Sequence, residues 1–308
     1  MREVFIHEVG LRDGLQIEKS VASTDVKLRW IEKLAESGVD VIQVGSFVNP
    51  DRVPQMADTD LLFRELAHRP RASRPLLSAL VLNEKGLHRG LDVGVEFFCM
   101  GVSASDTHSR KNTGMSTEEA TNRIIAMARL AQQAGAKVQV SVQSAFGCGF
   151  EGVVPSDRVI EIVERFIESG LGQISLADTA GHAQPGQVRD LFGAIRDLAP
   201  DAELACHFHD TYGLAMANCY AALEAGVRWF ESAFGGLGGC PFTALSGGNV
   251  STEDLVHMLQ RMRLVPDIRL QPIFDVVAEA EQLVGRTLPG VVHRTGVIPA
   301  AAPALVTA

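Results

Sequence analysis

The sequence lacks the features that mark several classes of protein. It contains only five cysteines, an odd number without a C-x-x-C pair, which disfavours a disulfide framework or a structural zinc site and fits a reducing compartment. No apolar run approaches transmembrane length, and the first residues, MREVFIHEV, are strand-like rather than a signal or transit peptide. Positive charge is in deficit, with a formal net charge of −9, which disfavours a nucleic-acid footprint. We therefore expect a cytoplasmic protein without nucleic-acid or membrane partners.

Apolar, β-branched runs alternate with helical patterns along the chain. Eight runs are typical of strands, at 4–9, 39–45, 76–82, 95–101, 137–142, 173–177, 203–209 and 229–234. Helical spacing is present at 25–36, 59–67, 117–134, 156–169, 185–198 and 214–225. This count predicts a (β/α)8 TIM barrel over residues 1–270, with a short C-terminal helix and tail, 271–308, packed on the barrel or a partner. An open doubly wound sheet is the alternative, but no Gly-x-Gly-x-x-Gly follows an early strand.

Two histidines stand at the end of the seventh predicted strand. Side chains alternate along a strand, so His207 and His209 are expected on one face. They are either a hydrogen-bonded pair or ligands of a divalent cation. Asp13, after the first strand, would complete an O,N,N set that suits Mg²⁺ or Mn²⁺, although zinc or Fe(II) could also occupy it. Asn249 is either a further ligand or part of the turn before the next helix.

A glycine-rich loop follows the eighth predicted strand. It reads GGLGGCP over 235–241 and carries Cys240. A thiol on such a mobile backbone can exchange a proton or attack as a thiolate. The alternative is a small buried residue in a tight turn.

At these residues the chain resembles the 3-hydroxy-3-methylglutaryl-CoA (HMG-CoA) lyase family, within the metal-dependent (β/α)8-barrel carbon–carbon lyases and synthases. The matching segments are EVGLRDGLQIEK (8–19), SFVNP (46–50) with VPQMAD (53–58), HFHDTYG (207–213), and GLGGCP (236–241) with GN (248–249) and TEDLV (252–256). The Gly-Leu-Gly-Gly-Cys-Pro loop is specific to these lyases, and the segments span almost the whole barrel.

The resemblance implies a role for each matching residue. Asp13, His207, His209 and Asn249 would be the ligands of Mg²⁺ or Mn²⁺. Arg12 would meet the oxygen of the substrate thioester, Lys19 would face the phosphates of coenzyme A, and Cys240 would be the catalytic thiol.

The implied reaction is a retro-Claisen cleavage of HMG-CoA to acetyl-CoA and acetoacetate. Asp13 or His207 would take the proton of the substrate hydroxyl, and Arg12 would stabilise the enolate oxygen. Cys240, or a water that it positions, would protonate the carbon.

Two residues depart from the family pattern. Gln43 stands where the family usually has glutamate, and Phe150 stands in CGFEG where the family usually has CPYEG. Loss of polar contacts can change the tolerated acyl group, so a related 3-hydroxyacyl-CoA with a distal carboxylate, such as a citramalyl-CoA-like compound, is the alternative substrate. A Claisen-type synthase and a non-catalytic acyl-CoA-binding barrel are further alternatives.

The remaining expectations concern the pocket and the assembly. Ser46 is expected to line the pocket with Gln43 and Phe150. Asp178 either contacts a ligand or Arg12, or caps the next helix. We expect His108, His182 and His257 at the surface, and a homodimer or higher homo-oligomer.

Overall fold

Eight parallel strands form one closed barrel in the computed structural model, which describes residues 2–68, 75–239 and 247–298. Each strand pairs with the next in sequence, and β8 pairs with β1. The strands are β1 Phe5–Glu8, β2 Val41–Ser46, β3 Leu76–Leu80, β4 Phe97–Ser103, β5 Lys137–Gln143, β6 Gln173–Asp178, β7 Glu203–Phe208 and β8 Trp229–Ser232. The predicted TIM barrel is confirmed.

Helices surround this barrel in the described part of the chain. They are α1 Thr24–Ser37, α2 Thr59–Ala67, α3 Glu84–Asp92, α4 Asp106–Thr113, α5 Thr117–Gln133, α6 Ser156–Glu168, α7 Pro185–Leu198, α8 Ala215–Glu224, α9 Thr252–Arg261, α10 Leu270–Val284 and α11 Val292–Thr295. None of these helices is long and apolar enough to cross a membrane.

Local sequence signals explain where several helices begin and end. Ser116 and Glu119 form a reciprocal capping box that starts α5. Helix α1 ends at Gly38, whose φ of 87° is the left-handed conformation that glycine adopts without steric cost. The core consists of apolar side chains packed between the helices and the strands.

Helix α4 was not predicted from the sequence. Its residues, DTHSRKNT, are almost all polar, so no apolar period of three to four reveals it. The Ser105 hydroxyl accepts a hydrogen bond from the His108 backbone N–H at 3.1 Å and caps the helix. Helix α4 therefore begins at a side-chain cap and has no apolar pattern from which it could be predicted.

The C-terminal extension packs on the outside of the barrel. Glu279 of α10 accepts hydrogen bonds from the Trp30 indole and the Lys33 ammonium of α1, both at 2.9 Å. This contact agrees with a helix that rests on the barrel. The boundary at residue 270 stays a prediction.

The carboxyl group of Glu8 is buried where β8 pairs with β1 and closes the barrel. Glu8, at the end of β1, accepts hydrogen bonds from the backbone N–H groups of Gly10 at 2.7 Å and Phe234 at 3.1 Å. Its other oxygen lies 2.6 Å from the hydroxyl of Thr252. Burial raises the pKa of Glu8 to about 8, against the opposing effect of these hydrogen bonds.

We expect Glu8→Gln to reduce the pH dependence of stability. The folded state holds the Glu8 proton more tightly than the unfolded chain, in which glutamate titrates near 4.5. The contribution of Glu8 is therefore complete below pH 4.5 and declines as the pH rises toward 8, by at most about 1.4 kcal/mol per pH unit. Urea unfolding between pH 5 and pH 8 measures it. Glu65→Gln, at an exposed site on α2, is the control, and parallel curves for wild type and Glu8→Gln would contradict the expectation.

Candidate metal centre

The chain turns tightly after β1 and places Arg12 and Asp13 at the carboxyl end of the barrel. Residues Gly10–Gly14 form a π-helical turn in which the backbone N–H of Asp13 donates to the carbonyl of Val9 at 2.8 Å. Gly10 is required here, because a Cβ at this position would lie 2.6 Å from the ring of Phe234. A side chain would therefore displace the turn that carries Asp13.

The two strand histidines lie on one face, as predicted, and meet Asp13. His207 Nε2 is 3.4 Å from His209 Nε2. The Asp13 Oδ2 atom is 3.4 Å from His209 Nε2 and 3.8 Å from His207 Nε2. All three side chains are buried. The sequence prediction that these residues form one cluster agrees with the structure.

The hydrogen bonds behind the rings determine which histidine nitrogens face the cluster. His207 Nδ1 lies 2.9 Å from a carboxylate oxygen of Glu231, and His209 Nδ1 lies 2.9 Å from the carbonyl oxygen of Thr179. Both partners are acceptors, so each Nδ1 carries a proton. In the neutral rings, both Nε2 lone pairs then face Asp13 Oδ2. Three lone-pair donors that point at one another fit a bound cation.

Asn249 supplies a fourth polar group. Its side-chain N–H groups donate to Asp13 Oδ2 at 2.9 Å and to the Leu237 carbonyl at 2.8 Å. Its Oδ1 atom is buried, and none of the described residues hydrogen-bonds to it. A buried oxygen without a donor costs free energy. A divalent cation would satisfy it, so the residues present fit a metal.

Charge in this cluster favours ionised Asp13. Burial opposes ionisation, but the Arg12 guanidinium and the two histidines hold the pKa of Asp13 well below its usual range. Burial lowers the pKa of His209, but the hydrogen bond and charge of Asp13 outweigh it and raise that pKa. Without a metal, the aspartate therefore holds a proton on the histidine that a cation would replace.

Arg12 connects the cluster to a cavity. Its Nη1 donates to Asp13 Oδ1 at 2.5 Å, and its Nε donates to the side-chain oxygen of Gln43. The cavity has a volume of about 500 Å³, and its lining includes Arg12, Asp13, Gln43, His207, His209 and Gly239. The donor cluster and a guanidinium thus face a space large enough for a small acyl group.

Gln43 lines this cavity as expected, whereas Ser46, Lys19 and Phe150 are not among its lining residues. Ser46 is buried at the end of β2, and Lys19 is exposed on the segment that leads into α1. The Phe150 ring stacks on His108, with ring centroids 6.4 Å apart, and the Lys111 ammonium lies 3.7 Å from the Phe150 ring centroid. Cys240 lies outside the described residues. Substrate contact by Ser46, Lys19 and Phe150 stays a prediction.

Asp178 holds a turn. Its two carboxylate oxygens accept the backbone N–H groups of His182 at 2.8 Å and Ala183 at 3.1 Å, just before α7. Burial raises the pKa of Asp178 against these hydrogen bonds. The capping alternative matches this geometry, and a direct contact with substrate stays a prediction.

Sequence reasoning missed two features of the site. The expectation that His108 lies at the surface is wrong, because the residue is buried and its side chain lines the cavity. It was missed because α4 itself was missed. Glu231 was also missed, although a charged residue inside the short strand β8 is an available signal.

The fold and these donors define a class of protein: a (β/α)8 barrel with a candidate divalent-metal centre at the carboxyl ends of its strands. Residues 3–279 match the HMGL-like family. A hydroxymethylglutaryl-CoA lyase of Bacillus subtilis is 37% identical over 94% of this chain and 95% of its own length. The chain belongs to the HMGL-like family of carbon–carbon lyases.

Two further relatives bear on the substrate. An (R)-citramalyl-CoA lyase of Chloroflexus aurantiacus is 37% identical, over 96% of each chain. An HMG-CoA lyase from Acinetobacter baumannii, solved in complex with coenzyme A and 3-methylmalate, superposes with a TM-score of 0.89 at 33% identity and 97% coverage of each chain. The likeness therefore extends to relatives with different acyl substrates.

We expect Mn²⁺ to raise the melting temperature of metal-stripped protein by a few degrees. A ligand that binds only the folded state stabilises it by about 2.7 kcal/mol at a hundredfold excess over Kd. Asp13→Asn should remove most of this increase, because it replaces the central carboxylate. Scanning fluorimetry measures the shift. His88→Gln, at an exposed histidine on α3, should keep it, and an equal shift in Asp13→Asn would argue against the site.

Proposed function

We propose that this protein is a divalent-metal-dependent lyase that cleaves HMG-CoA to acetyl-CoA and acetoacetate by a retro-Claisen reaction. The observation that carries the proposal is the convergence of Asp13, His207 and His209 beside Arg12 at one cavity. The match of the chain to the HMGL-like family supports it.

Asp13, His207, His209 and Asn249 are the proposed metal ligands, and Mg²⁺ or Mn²⁺ is the proposed ion. Two imidazoles with two oxygen ligands suit Mn²⁺ somewhat better than Mg²⁺. When bound, such an ion acts as a Lewis acid that makes the substrate 3-hydroxyl easier to deprotonate.

The residues of the chain would then handle the proton and the developing charge. Asp13, at Oδ1, takes the hydroxyl proton, since Oδ2 faces the two histidines. His207 is the alternative base, and its Nε2 would then have to leave the ion. The hydroxyl oxygen becomes the ketone of acetoacetate as the bond between C2 and C3 breaks. The electron pair of that bond moves onto C2 and gives the enolate of acetyl-CoA.

Arg12 is proposed to stabilise this enolate, and Cys240 is proposed to protonate it. Arg12 already lines the cavity and is held by Gln43 and Asp13, so its guanidinium can meet the thioester oxygen without reorganising. Cys240, or a water that it positions, returns a proton to C2. Lys19 is proposed to meet the coenzyme A phosphates from its exposed position at the same end of the barrel.

We expect metal-stripped protein to release acetyl-CoA from HMG-CoA only after Mg²⁺ or Mn²⁺ is added. Cys240→Ala should lower the rate about a hundredfold or more, as loss of a general acid does. Cys219→Ala, at a buried thiol on α8, is the matched control and should retain the rate. A spectrophotometric assay of acetyl-CoA measures both. Metal-independent cleavage, or tight coenzyme A binding without turnover, would contradict the proposal.

Cleavage of a citramalyl-CoA-like thioester is the second candidate function, and Gln43 is the observation that favours it. The Gln43 oxygen is a neutral acceptor for Arg12, so this residue does not offset the guanidinium charge beside the acyl pocket. A carboxylate on the reacting carbon itself, one methylene closer than in HMG-CoA, would suit that charge.

We expect Gln43→Glu to change the ratio of kcat/KM between the two thioesters in favour of HMG-CoA. The added carboxylate would compete with the nearer substrate carboxylate for Arg12, and a change of about tenfold is typical for one altered pocket contact. Gln143→Glu adds the same charge elsewhere on the cavity wall and is the matched control. An unchanged ratio in Gln43→Glu would exclude residue 43 as the determinant.

A further inference from the structure

A buried carboxylate supports one of the two histidines from behind. Glu231 of β8 is the register partner of His207 on β7, and its Oε2 lies 2.9 Å from His207 Nδ1. Both side chains are almost fully buried. The contact is therefore short, sequestered from water and formed directly behind the imidazole edge that faces Asp13.

The other oxygen of this carboxylate is also fixed. Glu231 Oε1 accepts hydrogen bonds from the side-chain amide of Gln139 at 2.6 Å and from the hydroxyl of Ser175 at 2.9 Å. Gln139 belongs to β5 and Ser175 to β6, so the carboxylate is tied to three strands besides its own. It cannot rotate away from His207 without losing two buried hydrogen bonds.

The second histidine has a different kind of support. His209 Nδ1 donates to the carbonyl of Thr179 at 2.9 Å. A carbonyl is sufficient to choose the tautomer and the ring orientation. A carboxylate does the same and also increases the electron density of the imidazole, which strengthens it as a ligand.

We propose that Glu231 is a positioning residue: it holds His207 with Nε2 directed at Asp13 and strengthens the binding of a divalent metal there. A buried charge is costly unless it is paired, and His207 is the titratable side chain that hydrogen-bonds to Glu231 at 2.9 Å. The inference rests on the metal centre proposed above, and it concerns the metal affinity of the chain rather than the identity of the substrate.

The experiment is a titration of metal-stripped, full-length protein with Mn²⁺, followed by electron paramagnetic resonance of the free ion. Glu231→Gln keeps the shape of the side chain and removes its charge. We expect it to weaken Mn²⁺ binding at least about tenfold, as loss of such a partner typically does. Ser78→Ala is the matched control, since it removes a buried hydroxyl on β3 that lies 2.8 Å from His7 Nε2 and leaves the hydrogen bonds of Glu231 in place.

Each outcome decides a separate point. Equal Mn²⁺ affinity in wild type and Glu231→Gln would overturn the role of Glu231, and an equally large loss in Ser78→Ala would assign the effect to general packing of the barrel. If the wild type does not bind Mn²⁺, the proposal of a metal centre is itself wrong.

A second measurement does not depend on the folding of a variant. The ring ¹⁵N spectrum of metal-free wild type should show a proton on His207 Nδ1. A neutral ring protonated only on Nε2 would overturn the proposal.

Discussion

The pairing of β8 with β1 closes the barrel, and the geometry of the candidate metal centre depends on it. Four consecutive register pairs, from Phe5–Trp229 to Glu8–Ser232, join the two ends of the sheet. Parallel strands in a closed barrel must end on the same side. Asp13 and His209, 196 positions apart in sequence, therefore meet above the same rim.

Buried polar groups form two layers at this rim. The upper layer consists of atoms that face one another: a carboxylate oxygen of Asp13 and two imidazole nitrogens. The lower layer consists of the acceptors that hold those imidazoles, Glu231 and the Thr179 carbonyl. The lower layer determines where the Nδ1 protons lie, and so directs the Nε2 atoms of the upper layer toward the candidate metal position.

A second set of buried polar contacts lies where β8 pairs with β1. Glu8 accepts hydrogen bonds from the backbone on both sides of the seam, from Gly10 after β1 and from Phe234 after β8. The π-helical turn that carries Asp13 begins at Gly10, and the glycine-rich segment that carries Gly239 begins just after Phe234. One carboxylate thus links the conformations of the two segments that border the cavity. The protonated, neutral form of Glu8 costs less free energy to bury here than the ionised form.

Sequence alone determined the barrel, the shared face of His207 and His209, and the donor chemistry of Asp13. These follow from period-two alternation, from the alternation of strands and helices, and from residue types that local rules can interpret. Tertiary structure decided which of these groups meet. Only closure of the sheet places Glu231 behind His207, and only the fold turns the polar segment 106–113 into a helix that buries His108. Such contacts depend on register and on burial between distant strands, which no local pattern of residues specifies.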